Sequence, residues 1–431
     1  MSHKLQPQDR LPTREELHRL IRDINRSTRA LELLDDTQNT ASHTLDSQTR
    51  PEASIKASQL LPADRYELQT ACESLVHAAK GSKDYLCTFA QSHRPVSALQ
   101  YAVHFHLAKH VPQEGVVSFK KLATKADIPE PQCQRAIRML VACEIFEEPA
   151  VGYVTHNRYS RLLADDKGEA ALGILTDECF RAASCLAPAA THWNHSQERT
   201  KAPFNLAFNT EMSMFDFQSS QEPWRAERFR KTMAFFGGSG KSSLEHLIHG
   251  FDWTSLTAGT TVVDIGGSGG HCMRAVAAVN TGIHSIVQDI EAGLGDYQST
   301  ETFERRIKFT VHDFFSPQTH PADVYLLRWI LHDYSDQEAV IILKCLLPAF
   351  MPGARILVMD SILPSPGEVT KAEEKDARLS DIGMWALLNG RERDIYAWTI
   401  LFQMAGPRLK LVNTITPQGS ALSVMEFQLV Q

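Results

Sequence analysis

The amino-acid sequence predicts an α/β protein, a doubly wound Rossmann-like domain preceded by a mainly helical region with a winged helix. Three observations carry this. From Thr260 onward, short apolar segments alternate with helical stretches, as in a parallel sheet covered on both faces. The first of these segments runs into a glycine-rich turn, GGSGG, that opens a helix. Residues 97–162 read as three helices followed by strand-like pieces, the pattern of a winged helix.

Taken in order, residues 14–34 space Leu17, Leu20, Ile21 and Ile24 for a helix that continues to Leu31 and Leu34. Residues 36–60 are rich in Ser, Thr and Gln and read as a mobile polar loop. A second amphipathic stretch runs from Ala63 to Gln91. Neither helix has an apolar partner within its own segment. Packing on the following domain and exchange with a second subunit both remain open. In the winged helix, a helix over Ala98–His110 precedes a short one in SFKKLATKADI, and Pro129 and Pro131 mark the start of a third. GYVTHNRYS then supplies the strand-like residues. Residues 165–250 are mainly helical, with the aromatic pieces FNLAF and MFDF and a helix around Glu222–Phe236. The strand candidates are TTVVDI (260–265), SIVQDI (285–290), IKFTVHD (307–313), DVYLLRW (323–329) and RILVMD (355–360). Segments near Leu409–Val412 and Ala421–Leu429 pair as a closing hairpin. The resulting division is 1–96 as a helical extension, 97–200 as winged helix with connecting helices, and 201–431 as the α/β domain.

Composition narrows the function. With 43% hydrophobic and 22% charged residues, the chain is an ordinary globular protein with length for two or three domains. Its 44 basic and 51 acidic residues give a net charge of −7, which argues against a nucleic-acid partner. The third helix of the winged helix offers only Arg135 and Arg138 beside Glu144, Glu147 and Glu148. No apolar run of about 18 residues occurs, so no membrane span is expected. The amino terminus lacks the apolar centre of a secretory signal, and eight scattered cysteines show no CxxC or metal spacing. Reduced thiols in the cytoplasm and no bound metal are the expectation.

The strongest local signal is VVDIGGSGGHCMRAVA, residues 262–277. Glycines let the backbone turn sharply and approach a ligand at the carboxyl ends of the strands. A dinucleotide fingerprint begun at Gly267 finds Gly269 but then Cys272 in the last place. Asp289 ends the second strand, where a carboxylate can accept both ribose hydroxyls. Asp313 ends the third and can meet an adenine amino group. Together they describe an adenosine site that requires no phosphate. GGSGKSS (237–243) resembles a phosphate loop, but Phe235 occupies the place of its first glycine and a helix precedes it.

LRWILHDYSD (327–336) follows the fourth strand and sets His332 at the edge where the ligand sits. Asp360 ends the fifth strand and Glu392 lies in NGRERD. A carboxylate beside an imidazole fixes its tautomer and stabilises the imidazolium formed when it takes a proton.

In these motifs the region from about Phe204 to Gln431 resembles the class I S-adenosylmethionine-dependent O-methyltransferases, closest to the caffeate/flavonoid type and its fungal secondary-metabolite relatives. DIGGSGG, QDI, HDFF, LRWILHDYSD, ILVMDSILP and NGRERD stand in family order. The winged helix matches as well, and in this family it is a dimerisation module, which implies a homodimer. The resemblance implies S-adenosyl-L-methionine as cofactor, with Gly266, Gly267 and Gly269 lining its methionine part. Asp289 would hold the ribose and Asp313 with Phe314 the adenine. Arg328 takes a position commonly lysine, and Trp329 one where an aromatic stacks. His332 takes the base position, with Asp360, more often glutamate in the family, and Glu392 orienting it. Phe229 and Met233 match positions beside cofactor and acceptor. Met384, Trp385 and Leu388 would form an apolar wall for a small hydroxylated acceptor, an aromatic polyketide or alkaloid; as residues alone they read equally as helix core. The implied activity is methyl transfer to a hydroxyl of such a metabolite. The alternatives are a pericyclase or decarboxylase on the same scaffold, a metabolite-sensing DNA-binding regulator, and nicotinamide-linked reduction.

Overall fold

In a computed structural model of the chain, residues 15, 17–26, 28, 62–294 and 306–430 are described; the polar segment 36–60 lies outside them. The chain divides into two compact units, residues 1–181 with 223–235, and residues 182–222 with 236–431.

In the first unit the amphipathic stretch after residue 62 forms two helices, Pro62–Lys80 and Ser82–Ala90, parted at Gly81, whose φ is +71°. The helix expected over Ala98–His110 is His93–His104 and stops at His106, which adopts a left-handed φ of 50° so that Leu107 and Ala108 can turn into the core. Helices Phe119–Lys125 and Glu130–Ala142 follow. Ser118 caps the former by accepting from the Lys121 N–H, and proline in the first turn of the latter sets its start. Strands β1 (Val117–Ser118), β2 (Phe146–Ala150) and β3 (Tyr153–His156) form a sheet in the order β1-β3-β2. Leu107, Phe119, Leu122, Ile137, Leu140, Phe146 and Val154 fill the core between helices and wing. Arg138, one of the two cations on the third helix, is held by both oxygens of Glu148 at 2.8 and 3.0 Å.

The helix Pro223–Gly238 shows why residues 223–235, placed by sequence in the 201–431 segment, sit with the first unit. Its Arg225 and Arg228 pair with Asp177 and Glu178, which lie in a turn of π-helix, Leu175–Cys179. Glu178 is fully buried, so separating these charges would leave a carboxylate without compensation.

The second unit carries a seven-stranded sheet. Its strands are β4 (Thr261–Ile265), β5 (His284–Asp289), β6 (Ile307–Val311), β7 (Ala322–Arg328), β8 (Phe350–Asp360), β9 (Leu409–Ile415) and β10 (Ser423–Leu429). The order is β6-β5-β4-β7-β8-β10-β9. The first five are parallel; β10 lies antiparallel between β8 and β9, so the closing hairpin joins the sheet through its second strand. Alternation along each strand builds two cores on opposite faces. Val263, Ile265, Tyr325, Leu327, Ile356 and Val358 point to one, and Val262, Val324, Leu326, Leu357 and Met359 to the other. Strand order reverses between β4 and β7, and at that point the carboxyl ends of the strands open a crevice.

Phe427 of β10 stacks on Phe402 with ring centroids 3.5 Å apart, and both are fully buried. Phe427→Ala should therefore destabilise the chain by about 3–5 kcal/mol, measured by denaturant unfolding. A loss below about 1 kcal/mol would contradict this packing.

Candidate active site

Around the switch point, β4 ends at Ile265 and the chain bends through Gly266 (φ +69°) and Gly267 into the helix His271–Val279. A Cβ on Gly266 would lie 2.5 Å from the Ile330 side chain, and one on Gly267 2.5 Å from the Asp264 carboxylate. Only glycine allows this close approach. Asp264 is buried beneath the bend with one carboxylate oxygen lacking a hydrogen-bond partner. Burial pushes its pKa up to about 7, with Asp289 adding to the rise and the Arg328 cation opposing it.

At the end of β5, Asp289 accepts the Ser268 N–H at 2.9 Å and the Ile290 N–H at 2.8 Å, one on each oxygen. Its carboxylate is thereby fixed against the glycine bend, with lone pairs left on both oxygens. Burial raises its pKa and the two N–H groups oppose the rise. Asp313 lies two residues beyond β6, exposed, and accepts the Phe315 N–H at 2.9 Å. Phe314 is set edge-on to Tyr334 at 5.7 Å and approaches Gly266.

Arg328 donates to the Ser242 carbonyl at 2.7 Å and lies over the Trp329 ring, 3.9 Å from its centroid. The segment GGSGKSS thus ends in a 3-10 turn that receives this guanidinium, and Lys241 in it pairs with Asp376 at 2.7 Å. Trp329 has a left-handed φ of 57°, which turns the chain out of β7 into the 3-10 turn Leu331–Asp333. Arg274 donates to the Gly269 carbonyl. Arg274 and Arg328 each donate to a main-chain carbonyl, while Asp264 and Asp289 are carboxylates. That donor set fits an adenosine carrying a positive charge better than a pyrophosphate.

His332 is 8% exposed and sits among three carboxylates. Its Nδ1 donates to Glu392 Oε1 at 2.9 Å; Asp360 lies 3.7 Å from Nδ1, and Asp333 3.5 Å from Nε2. Ser380 donates to the same Glu392 oxygen at 2.7 Å, and Asp381 accepts the Glu392 N–H at 2.9 Å. Asp360 is completely buried and neither of its oxygens has a hydrogen-bond partner. Burial alone would lower the pKa of His332, but Asp360, Glu392 and Asp333 outweigh it and raise the group to about 10. Burial moves Asp360 up to about 7 and Asp333 up to about 6, against the His332 charge. Glu392 is held below its ordinary value, since its contacts with His332 and Ser380 overcome burial.

The structure brings together His332, Asp360 and Glu392, and separately Gly266, Gly267, Asp289 and Phe314 around the bend. Met384 lies one helical turn beyond Ser380 on the helix Lys371–Leu388, on the face that meets Glu392. Trp385, the next residue, is 44% exposed. Phe229 and Met233, four residues apart, share a face of the helix Pro223–Gly238 within the first unit. Sequence reasoning missed Asp264, Ser380 and Asp381. Asp264 stands in the glycine motif itself and could have been read there; the other two carry no local signal.

Residues 193–408, half of the chain, match the O-methyltransferase domain family. The chain is 32% identical over 411 residues to O-methyltransferase aurJ of Gibberella zeae, covering 89% of this chain and 93% of that one. The structure of OxaC in complex with sinefungin and meleagrin is similar with a TM-score of 0.75 at 19% identity, covering 95% and 99% of the two chains. A structure of a pericyclic reaction enzyme gives 0.72 at 22% identity, covering 88% and 98%. At these identities the structural likeness speaks for the fold alone.

The raised pKa of His332 has a consequence for stability. Its imidazolium stabilises the folded chain fully below the ordinary value of 6.5, and the contribution fades as pH climbs to about 10. His332→Ala should lower the thermal midpoint most near pH 6.5 and least near pH 10, in paired unfolding series. A difference that is constant with pH would contradict the charge assignment.

Proposed function

The chain belongs to the O-methyltransferase domain family and uses S-adenosyl-L-methionine, and on that premise we propose that His332 is the general base for methylation of a hydroxyl on a small aromatic polyketide or alkaloid. The observation that carries this reading is the 2.9 Å bond from His332 Nδ1 to Glu392, which leaves Nε2 as the atom able to take a proton. Glu392, itself fixed by Ser380 and Asp381, holds the ring in one tautomer. Asp360 adds negative charge that stabilises the imidazolium once formed.

When bound, the cofactor supplies an electrophilic methyl group on a positively charged sulfur. Gly266, Gly267 and Gly269 would line its methionine part and Asp289 its ribose. Asp313 and Phe314 would frame the adenine, and Trp329 would stack beside it. Arg328, held by Ser242, would act through the placement of Trp329 and Asp264. His332 Nε2, left free by the bond from Nδ1 to Glu392, would take the proton of the acceptor hydroxyl. Three carboxylates around one imidazole suit a cationic donor, whose charge, once bound, would lower the imidazole pKa toward the neutral form a base needs. Met384 and Trp385 would supply apolar surface to the acceptor.

A second reading draws on the same charge. An imidazolium with a pKa of about 10, held on Glu392, is also a hydrogen-bond and proton donor, able to polarise the substrate of a pericyclic reaction or to protonate the carbanion that decarboxylation leaves. Formation of one S-adenosylhomocysteine per acceptor consumed decides for methyl transfer; a cofactor left unconsumed over many turnovers decides against it.

We further propose a homodimer built on the amino-terminal helices and winged helix. Among the described residues nothing buries the helix Ser82–Ala90, whose Leu86 and Phe89 are each 63% exposed. Light scattering at micromolar concentration should give twice the chain mass, and a stable monomer would refute it.

Two outcomes test the base. His332→Ala should keep cofactor binding by calorimetry while turnover falls about 10²–10⁴-fold. With cofactor saturating, kcat/KM for the acceptor should rise with pH as His332 loses its proton, with a midpoint below about 10 because the bound cation opposes the imidazolium. Undiminished turnover in the variant would overturn the assignment.

A further inference from the structure

Glu392 is followed by a residue of opposite charge that is buried just as deeply. Arg393 has no exposed side-chain surface, and its guanidinium reaches back to the turn that carries His332. Nη1 donates to the Leu331 carbonyl at 2.8 Å, Nη2 to the Tyr334 carbonyl at 2.9 Å, and Nε to Asp336 at 2.8 Å. The cation also lies over the Trp398 ring, 5.2 Å from its centroid. The two carbonyls belong to the first residue of the 3-10 turn Leu331–Asp333 and to the residue that follows it, so they stand on either side of His332 in the chain. The main chain meets the same turn, since the Arg391 N–H donates to the His332 carbonyl at 2.9 Å. Arg393 is itself anchored to the end of the β8 region, pairing with Ile362 and accepting the Leu363 N–H at 2.9 Å.

We infer that Arg393 is a positioning residue for the reaction, clamping the 331–334 turn so that the His332 ring stays on Glu392 and within its ring of carboxylates. Two adjacent residues thus act on one histidine from different sides, Glu392 holding the imidazole and Arg393 the backbone beneath it. Lysine cannot replace it fully, because a single ammonium cannot span two carbonyls and a carboxylate in the planar fork that guanidinium provides. The inference rests on His332 being the base, but its decisive measurement does not depend on turnover.

That measurement is the titration of His332 by NMR in the full ligand-free chain, labelled at histidine nitrogen. The charged groups facing the ring are Asp333, Asp360 and Glu392, with Arg393 as the nearby cation. Removal of that cation with the ring left in place would raise the pKa of His332. Loss of the clamp releases the ring from its carboxylates and lowers it. Arg393→Met should therefore shift the titration downward toward 6.5, with Arg393→Lys between it and wild type. If Arg393→Met does not fold, Asp336→Asn removes one of the three anchors and should give a smaller downward shift. With the phenolic metabolite that wild type methylates fastest, Arg393→Lys should lose about 10–100-fold in kcat with acceptor KM within about threefold. An unchanged or raised His332 titration in a folded variant overturns the clamp, whatever the turnover. Full activity of His332→Ala would instead overturn the base assignment and leave the titration result standing.

Discussion

The site is organised by a charge imbalance: one imidazole is buried among three carboxylates, and only one of the three, Glu392, hydrogen-bonds it. Burying so many like charges is costly unless some are protonated or a cation joins them. The fold supplies part of that compensation through His332 and Arg393, and it leaves Asp360 with two unpartnered oxygens and Asp264 with one. A positively charged ligand is the natural complement to such a pocket.

The geometry that makes this cluster is a property of the sheet. Asp264 and Asp360 lie at the carboxyl-terminal ends of β4 and β8, and His332 follows β7 by one short turn. These strands neighbour one another in the order β4-β7-β8, so groups far apart in sequence arrive at one rim. The helix Lys371–Leu388 contributes Ser380, which donates to the same Glu392 oxygen as His332, and Asp381, which accepts the Glu392 N–H.

Strand ends are where the sequence was most legible. Apolar runs of strand length that finish in Asp289, Arg328 or Asp360 announce both the sheet and its functional edge, because side chains there leave the core and face the crevice. The glycine bend announces itself for the same reason, through positions that cannot carry a Cβ. What lay beyond reading depends on tertiary contact. Nothing local distinguishes Ser380 from any other helical serine, and only the folded chain shows Arg393 turned inward. The insertion of β10 between β8 and β9 is likewise a matter of pairing order, to which alternation is blind. The break at His106 and the allegiance of residues 223–235 follow from a buried leucine and from ion pairs with Asp177 and Glu178, contacts that no window of sequence contains.

Because Ser423 of β10 pairs with Asp360 of β8, the strand that presents a buried carboxylate to His332 is completed by residues that emerge from the ribosome far later. During synthesis, β8 must wait with one edge bare, and that edge carries Ile356, Leu357, Val358 and Met359 in succession. Such an edge is a template for wrong partners. The nascent chain therefore passes through an interval in which its parallel strands can form while the rim that holds His332 is still open on one side, and chaperone protection would matter most in that interval.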